Sequence, residues 1–251
     1  MSGHSKWSTI KRAKGVADAK RGQIFTKLAK EIMVAVREGG SNTEHNFRLR
    51  LIIQKCRDNN MPSENIERAI KKASGEGGSA ALAEASFEGY GPGGIAILVQ
   101  VLSDNRNRTL QEIRSILSRS GGSMAAAGAV SWMFEPKGVI TIDTKQLNAE
   151  EVALWAIDAG AEDVKIEKSF LEVYTTSDSL EIVRHALEGK EVPIASAELS
   201  MIPKTTVDLD EENAIRALKL LDRLEELDEV RRVFSNVDFS EEVLEKLKAT
   251  V

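Results

Sequence analysis

The chain has 251 residues, 42% apolar, 29% charged and 5% aromatic, which is enough apolar side chain for a buried core and too much for a disordered protein. At roughly 100–200 residues per domain its length predicts two domains or three small ones, and with no run of about 18 uncharged apolar residues a spanning helix is excluded. The net charge of −5 conceals a split: residues 1–77 carry 16 Lys+Arg against 8 Asp+Glu, a net of +8, and residues 78–251 carry 18 against 31, a net of −13.

The chain starts Met1-Ser2-Gly3-His4-Ser5-Lys6 and leads into lysines and arginines, unlike a secretion signal. Its first 30 residues hold eight cations (Lys6, Lys11, Arg12, Lys14, Lys20, Arg21, Lys27 and Lys30) against Asp18 alone. Such asymmetry points to a polyanion partner, with a mobile basic tail as the plainer alternative. The segment through Arg21 has too few large apolar residues to insert into a membrane surface. Ile24, Leu28, Ile32 and Val36 then recur every four residues and predict a helix that Gly39-Gly40 stops. A second helix carries Phe47, Leu51, Ile52 and Cys56, with Ser41-Asn42-Thr43 offering caps before it, and ends at Asn59-Asn60-Met61-Pro62. A third runs from near Ser63 through Ile66 and Ile70 to Ala73. The stretch Gly75-Glu76-Gly77-Gly78-Ser79 reads as a linker.

Beyond it the hydrophobic period changes. Ile95–Val101 reads as a buried strand, preceded by the turn-rich Glu88–Gly94. A helix follows through Leu110, Ile113, Ile116 and Leu117, and then a strand carrying Val130, Trp132 and Phe134. Pro136 and Pro203 bracket a unit of strand (Val139–Asp143), helix, strand (Val164–Glu167), strand (Phe170–Thr175), helix and strand (Ala197–Met201), the ferredoxin-like order. A long helix from about Glu211 to Leu227 and a strand over Val230–Phe234 close the chain. Residues 80–135 lack an independent sheet-and-helix layer, so the C-terminal segment is expected to complete it, with the ferredoxin-like unit inserted. The expected organisation is an α+β multidomain chain: a basic arm (1–22), a three-helix domain (23–77), a discontinuous α+β domain (78–135 plus 204–251) and an inserted ferredoxin-like βαββαβ domain (136–203).

Little catalytic chemistry can be assembled from these residues. Three histidines (His4, His45, His185) and one cysteine, without CxxC or HExxH, make neither a thiolate zinc site nor that protease site. Cys56 and His45 lie 11 apart with no supporting motif, and Cys56 follows the core-like Leu51-Ile52-Ile53. A lone cysteine makes no internal disulfide and suits a reducing cytoplasm. Gly89–Gly94 is followed by a strand, not a helix, which suits a tight connection rather than a phosphate loop. Asp104-Asn105-Arg106-Asn107-Arg108-Thr109 sits at a strand-to-helix junction, where Arg106 and Arg108 suit a phosphate, or else Asp104 or Asn105 caps the helix and the arginines pair with acids. The run Asp222, Glu225, Glu226, Asp228 and Glu229 reads as a solvated helix face; a hydrated magnesium ion, a basic partner or the chain's own arm are its other possible occupants.

Gly3-His4-Ser5-Lys6-Trp7, Phe25–Ile32, Asn46–Arg50, Asn60-Met61-Pro62, Glu88–Gly94, Asp104–Thr109, Trp132-Met133-Phe134 and Leu221-Asp222 through Asp228 together resemble the YebC family of bacterial proteins, described as transcriptional regulators and including mitochondrial translational activators. The resemblance covers almost the whole chain. It departs at Ser41-Asn42-Thr43, where Asp-Pro is common, and at Ala129 and Arg232. It implies a helical N-terminal domain and two α+β domains, one ferredoxin-like and inserted in the other, with DNA binding or action on the ribosome and no enzymatic activity or obligatory cofactor. The expected function is that of a cytoplasmic, non-enzymatic DNA-binding regulator, alternatively a translation factor on ribosomal RNA. A monomer is favoured, with no membrane partner, no metal and no cofactor. The expected nucleic-acid contacts are Lys6, Lys11, Arg12, Lys14, Lys20, Arg21, Lys27 and Lys30, extended by Arg48, Arg50 and Arg57. Trp7 either stacks on a base or anchors the arm. Phosphate contacts of this kind give affinity without base specificity.

Overall fold

The computed structural model describes residues 18–75, 82–145, 147–167 and 170–239. The arm through residue 17 and Glu76-Gly77-Gly78-Ser79 of the expected linker lie outside them. Three helices open the described chain: α1 (Asp18–Gly39), α2 (Phe47–Asp58) and α3 (Ser63–Ser74). The four-residue period of α1 buries Leu28, Ile32 and Val36, and the helix lies against α3. Gly40, at φ +79°, ends α1 in the left-handed region that glycine adopts without strain. Asn60 does the same beyond α2, at φ 56°. Its N–H and that of Met61 bond back to the carbonyls of Arg57 and Cys56, both at 2.9 Å, and Met61 is buried. That geometry accounts for Asn-Met-Pro as a helix exit.

A first four-stranded sheet follows, in the order β3-β1-β2-β9, from β1 (Ala83–Tyr90), β2 (Ala96–Ser103), β3 (Ser123–Met124) and β9 (Val230–Ser235). All three pairings are antiparallel, with Phe87 opposite Val99 and Val99 opposite Val233. Helices α4 (Arg106–Arg119) and α7 (Glu211–Glu225) share its core: Ile95, Ile97, Val99 and Val101 meet Ile113 and Leu117 of α4 and Leu218, Leu221 and Leu224 of α7. Ala96, Leu98 and Leu102 of β2, facing the other way, are buried as well. Strand β9, from the C-terminal segment, pairs with β2 from Ile97 to Val101. The short parallel pair β8 (Val207–Asp208) and β10 (Val237–Asp238) adjoins it, and buried Asn236 accepts from Ala96 N at 2.7 Å.

The second sheet has the order β5-β6-β4-β7, built from β4 (Phe134–Asp143), β5 (Asp163–Ile166), β6 (Phe170–Thr175) and β7 (Ile194–Pro203). Helix α5 (Ala149–Asp158) stands between β4 and β5, and α6 (Leu180–Glu188) between β6 and β7. Val152 and Ala156 of α5, Leu180, Val183 and Leu187 of α6, and Ile140, Ile142, Leu171 and Val173 of the sheet are buried. By its contacts the chain divides into two compact units, one of residues 1–52, 62–134 and 203–251 and one of residues 53–61 and 135–202.

Two local expectations change. Ser131–Met133 is a 3-10 turn, not a strand, and leaves Trp132 66% exposed, its indole N–H bonded to Ala129 O at 3.0 Å. The strand β4 starts at Phe134 and passes through Pro136, whose missing N–H a strand end tolerates. Strand β1 is a full eight residues, and its end, Glu88–Tyr90, falls within the segment read as turn-rich.

Candidate nucleic-acid interface

Helix α1 carries the described part of the basic region, and its polar face meets the end of α7. The last carbonyls of a helix have no N–H of their own to accept, and they gather at its negative end. Gln23 and two cations of α1 supply the missing donors. Gln23 Nε2 donates to Glu226 O at 2.5 Å and to Asp228 Oδ1 at 3.2 Å, Lys30 Nζ donates to Asp228 O at 3.1 Å, and Lys27 Nζ donates to Glu225 O. The acidic run therefore takes the chain's own basic helix, largely through backbone carbonyls.

Next to this seam lies an ion-pair network. Glu31, only 2% exposed although charged, receives Arg231 Nε at 3.1 Å. Arg231 also reaches Glu84 at 3.4 Å, and Glu84 is shared with Arg48, which pairs with Glu38 at 2.5 Å as well. Arg50 donates to Thr43 O and Glu44 O at 2.7 and 2.8 Å and lies over the Phe47 ring at 5.7 Å. Arg21 and Arg57 are exposed. Lys6, Trp7, Lys11, Arg12 and Lys14 lie outside the described residues, and so does the side chain of Lys20. Of the cations read from the sequence, Lys27, Lys30, Arg48 and Arg50 make the contacts just described, and Arg21 is engaged as well.

The Asp104–Thr109 segment forms a cap. Asn105 is the N-cap of α4 and accepts from Arg108 N at 3.0 Å, while Ser103 Oγ accepts from Asn105 N at 2.9 Å and meets the buried Thr109 hydroxyl at 2.8 Å. Arg108 pairs with Asp104 at 2.8 Å and Glu229 at 3.2 Å, and Arg106 lies over the Phe87 ring at 5.8 Å. The glycine loop between β1 and β2 serves close approach: Gly93 has φ +71°, and a Cβ there would meet Leu209 Cδ2 at 2.3 Å. Cys56 is buried, and His45 is exposed. Among the described residues no three of His, Cys, Asp or Glu gather as a metal-holding group, and no helix is long and apolar enough to cross a membrane.

Two organising residues were not singled out from the sequence. Asn46, 5% exposed, caps α2 by accepting from Leu49 N at 2.9 Å and donates to Ala35 O and Gly40 O, each at 2.8 Å. The cap therefore lies beyond Ser41-Asn42-Thr43, and a Cβ on Gly39 would come within 2.7 Å of the Asn46 amide. Glu88, 8% exposed, accepts from Gly128 N, Val130 N and Ser131 N at 2.7, 2.6 and 3.0 Å. Burial pushes its carboxyl up, but these N–H groups together outweigh burial and hold it below its ordinary value. The signal for both was a polar residue inside a family motif, Asn46–Arg50 and Glu88–Gly94.

Residues 5–76 match the TACO1/YebC protein N-terminal domain, and residues 82–237 match the TACO1/YebC second and third domain. A probable transcriptional regulatory protein of Dehalococcoides mccartyi (strain 195) is 60% identical over 246 residues, 98% of each chain. One from Roseiflexus castenholzii is 52% identical over 251 residues, again 98% of each. The crystal structure of a conserved hypothetical protein, Aq1575, from Aquifex aeolicus superposes with a TM-score of 0.83 at 46% identity, covering 90% of this chain and 94% of that one. With both family models matched in order along the chain, this protein belongs to the TACO1/YebC family.

Proposed function

We propose that this protein is a non-catalytic regulator that grips the phosphate backbone of DNA through its amino-terminal region. The carrying observation is the charge split, net +8 over residues 1–77 against −13 over the rest. The contacts described above assign Lys27, Lys30, Arg48 and Arg50 to holding the chain together. For the phosphate-binding role we put forward Lys6, Lys11, Arg12, Lys14, Lys20 and Arg21, on their density in the sequence, with Arg57 and the stacking candidate Trp7 beside them. The relatives' naming as probable transcriptional regulatory proteins supports a regulatory role and favours DNA over ribosomal RNA. We read the chain as a cytoplasmic monomer needing no cofactor, in keeping with its single cysteine.

The unit over 136–203 is read as a ferredoxin-like domain inserted in the domain of 78–135 and 204–251. Its element order, β4-α5-β5-β6-α6-β7, and its strand order, β5-β6-β4-β7, support this. So does the hydrogen bond from Lys204 N to Met133 O at 2.9 Å, which brings together the points where the chain departs and returns.

The test is the salt dependence of binding to duplex DNA. Neutralising about five phosphates gives a slope of log K against log salt near −4.5. Replacing Lys11, Arg12, Lys20 and Arg21 by glutamate is expected to make that slope shallower by about 3.6, at about 0.9 per phosphate contact. Binding as tight as the parent's would refute the reading. Cosedimentation with ribosomes after DNase treatment would instead move the target to ribosomal RNA.

A further inference from the structure

Beyond Glu211 and Glu212 of its first turn, the exposed residues of α7 are all basic, although the polypeptide around it is acidic. Arg216, Lys219 and Arg223 stand exposed at i, i+3 and i+7, a stripe about 10 Å long at 1.5 Å per residue. Helix α4 runs beside α7 in the opposite direction. Arg108 at its start reaches Glu229 beyond the end of α7, and a Cβ on Gly121 past its end would lie 3.7 Å from Arg216 Nη2. Arg119, exposed in the last turn of α4, falls at the Arg216 end of the stripe.

Among the described residues Arg119, Lys219 and Arg223 make no hydrogen bond or ion pair. Arg216 has Glu212 alone, at 3.7 Å with both side chains more than half exposed, an arrangement that contributes little. This contrasts with Lys27 and Lys30, which donate to backbone carbonyls, and with Arg48 and Arg231, which pair with carboxylates within the chain. Like charges at such spacings repel one another and destabilise a helix. The helix dipole favours Arg223 in the last turn of α7 but gives no reason for Arg216 and Lys219 further back. A polyanion lying along the stripe would relieve the repulsion, and the buried faces of α4 and α7 hold the cations' backbone rigid beforehand.

We propose that Arg119, Arg216, Lys219 and Arg223 form a second phosphate-contact surface for nucleic acid, separate from the amino-terminal region. The proposal rests on the nucleic-acid reading above and extends it to the net-acidic part of the chain. It supplies backbone contacts and no base reading.

The experiment titrates the full-length protein against duplex DNA and duplex RNA of about 20 base pairs, from about 50 to 200 mM salt. The parent is compared with Lys219→Gln/Arg223→Gln, with Arg119→Gln/Arg216→Gln, and with Lys145→Gln as an exposed control. Each double variant is expected to make the slope on duplex DNA shallower by about 1.8, from about 0.9 per phosphate contact. The control should match the parent. All four side chains are exposed, so thermal midpoints should agree within a few degrees; should one pair fail to fold, the other decides. A shift confined to RNA assigns the surface to RNA. A parent that binds neither duplex removes the nucleic-acid reading and this one with it. A binding parent whose slope both double variants share overturns this inference alone.

Discussion

Glu88 and Asn46 show how much a single buried polar side chain can organise. Three N–H groups from one loop converge on Glu88, so removing the carboxylate leaves buried donors without an acceptor. Glu88→Ala is expected to cost about 2–4 kcal/mol of unfolding free energy, and Glu88→Gln, which keeps one acceptor oxygen, about 1–2 kcal/mol. Because the folded carboxyl titrates below its unfolded value, its contribution is complete above that unfolded value. It fades as pH falls through the folded one. The stability gap between the parent and Glu88→Gln should therefore shrink on acidification below about pH 4.5 in urea titrations; a gap constant down to pH 2 would contradict the assignment. Asn46→Ala removes a helix cap and two ties to the end of α1 at once, and should cost about 2–4 kcal/mol by the same measurement. Asn46→Asp keeps the cap acceptor but turns a carboxylate oxygen onto the Ala35 and Gly40 carbonyls, and should cost at least as much as Asn46→Ala.

At the scale of elements, the seam between α1 and the end of α7 engages Lys27 and Lys30. Lys27→Ala and Lys30→Ala each remove a cation from a helix C-terminus, so each should lower stability by about 0.5–2 kcal/mol. Their effect on the salt slope of DNA binding should be small beside that of Lys11→Ala and Arg12→Ala. Equal effects on the slope would return Lys27 and Lys30 to the binding surface. The helices themselves were legible because their apolar period is local: Leu28, Ile32 and Val36 mark α1, and Gly40 and Asn60 mark ends that only a left-handed residue makes easily. Strand β1 was not, since Ala83-Glu84-Ala85-Ser86 carries no strong strand residue. It is held as a strand by the register with β2, in which Phe87 faces Val99. Val130, Trp132 and Phe134 read as one side of a strand because they alternate, while the 3-10 turn built on the Glu88 anchor leaves Trp132 exposed.

For the molecule as a whole, the core of the first sheet is drawn from β1, β2, β9, α4 and α7, without residues of 136–203. Replacing that segment by a short Gly/Ser linker should leave Ile97 and Val99 amides protected from hydrogen exchange, the ends being already joined through Lys204 and Met133. Loss of that protection would mean the two parts fold as one. What the sequence by itself determined is whatever depends on neighbours along the chain: the helices, the strand-helix alternation over 136–203, the charge split and the family. Tertiary structure alone decided which cations are spent inside the fold. It set Lys27 and Lys30 against α7 residues about 200 positions away and Arg231 against Glu31, and it left Arg216, Lys219 and Arg223 facing solvent within a net-acidic stretch. Charge counts are additive along a chain, but neutralisation acts over a few ångströms, and only the folded packing brings such distant residues that close.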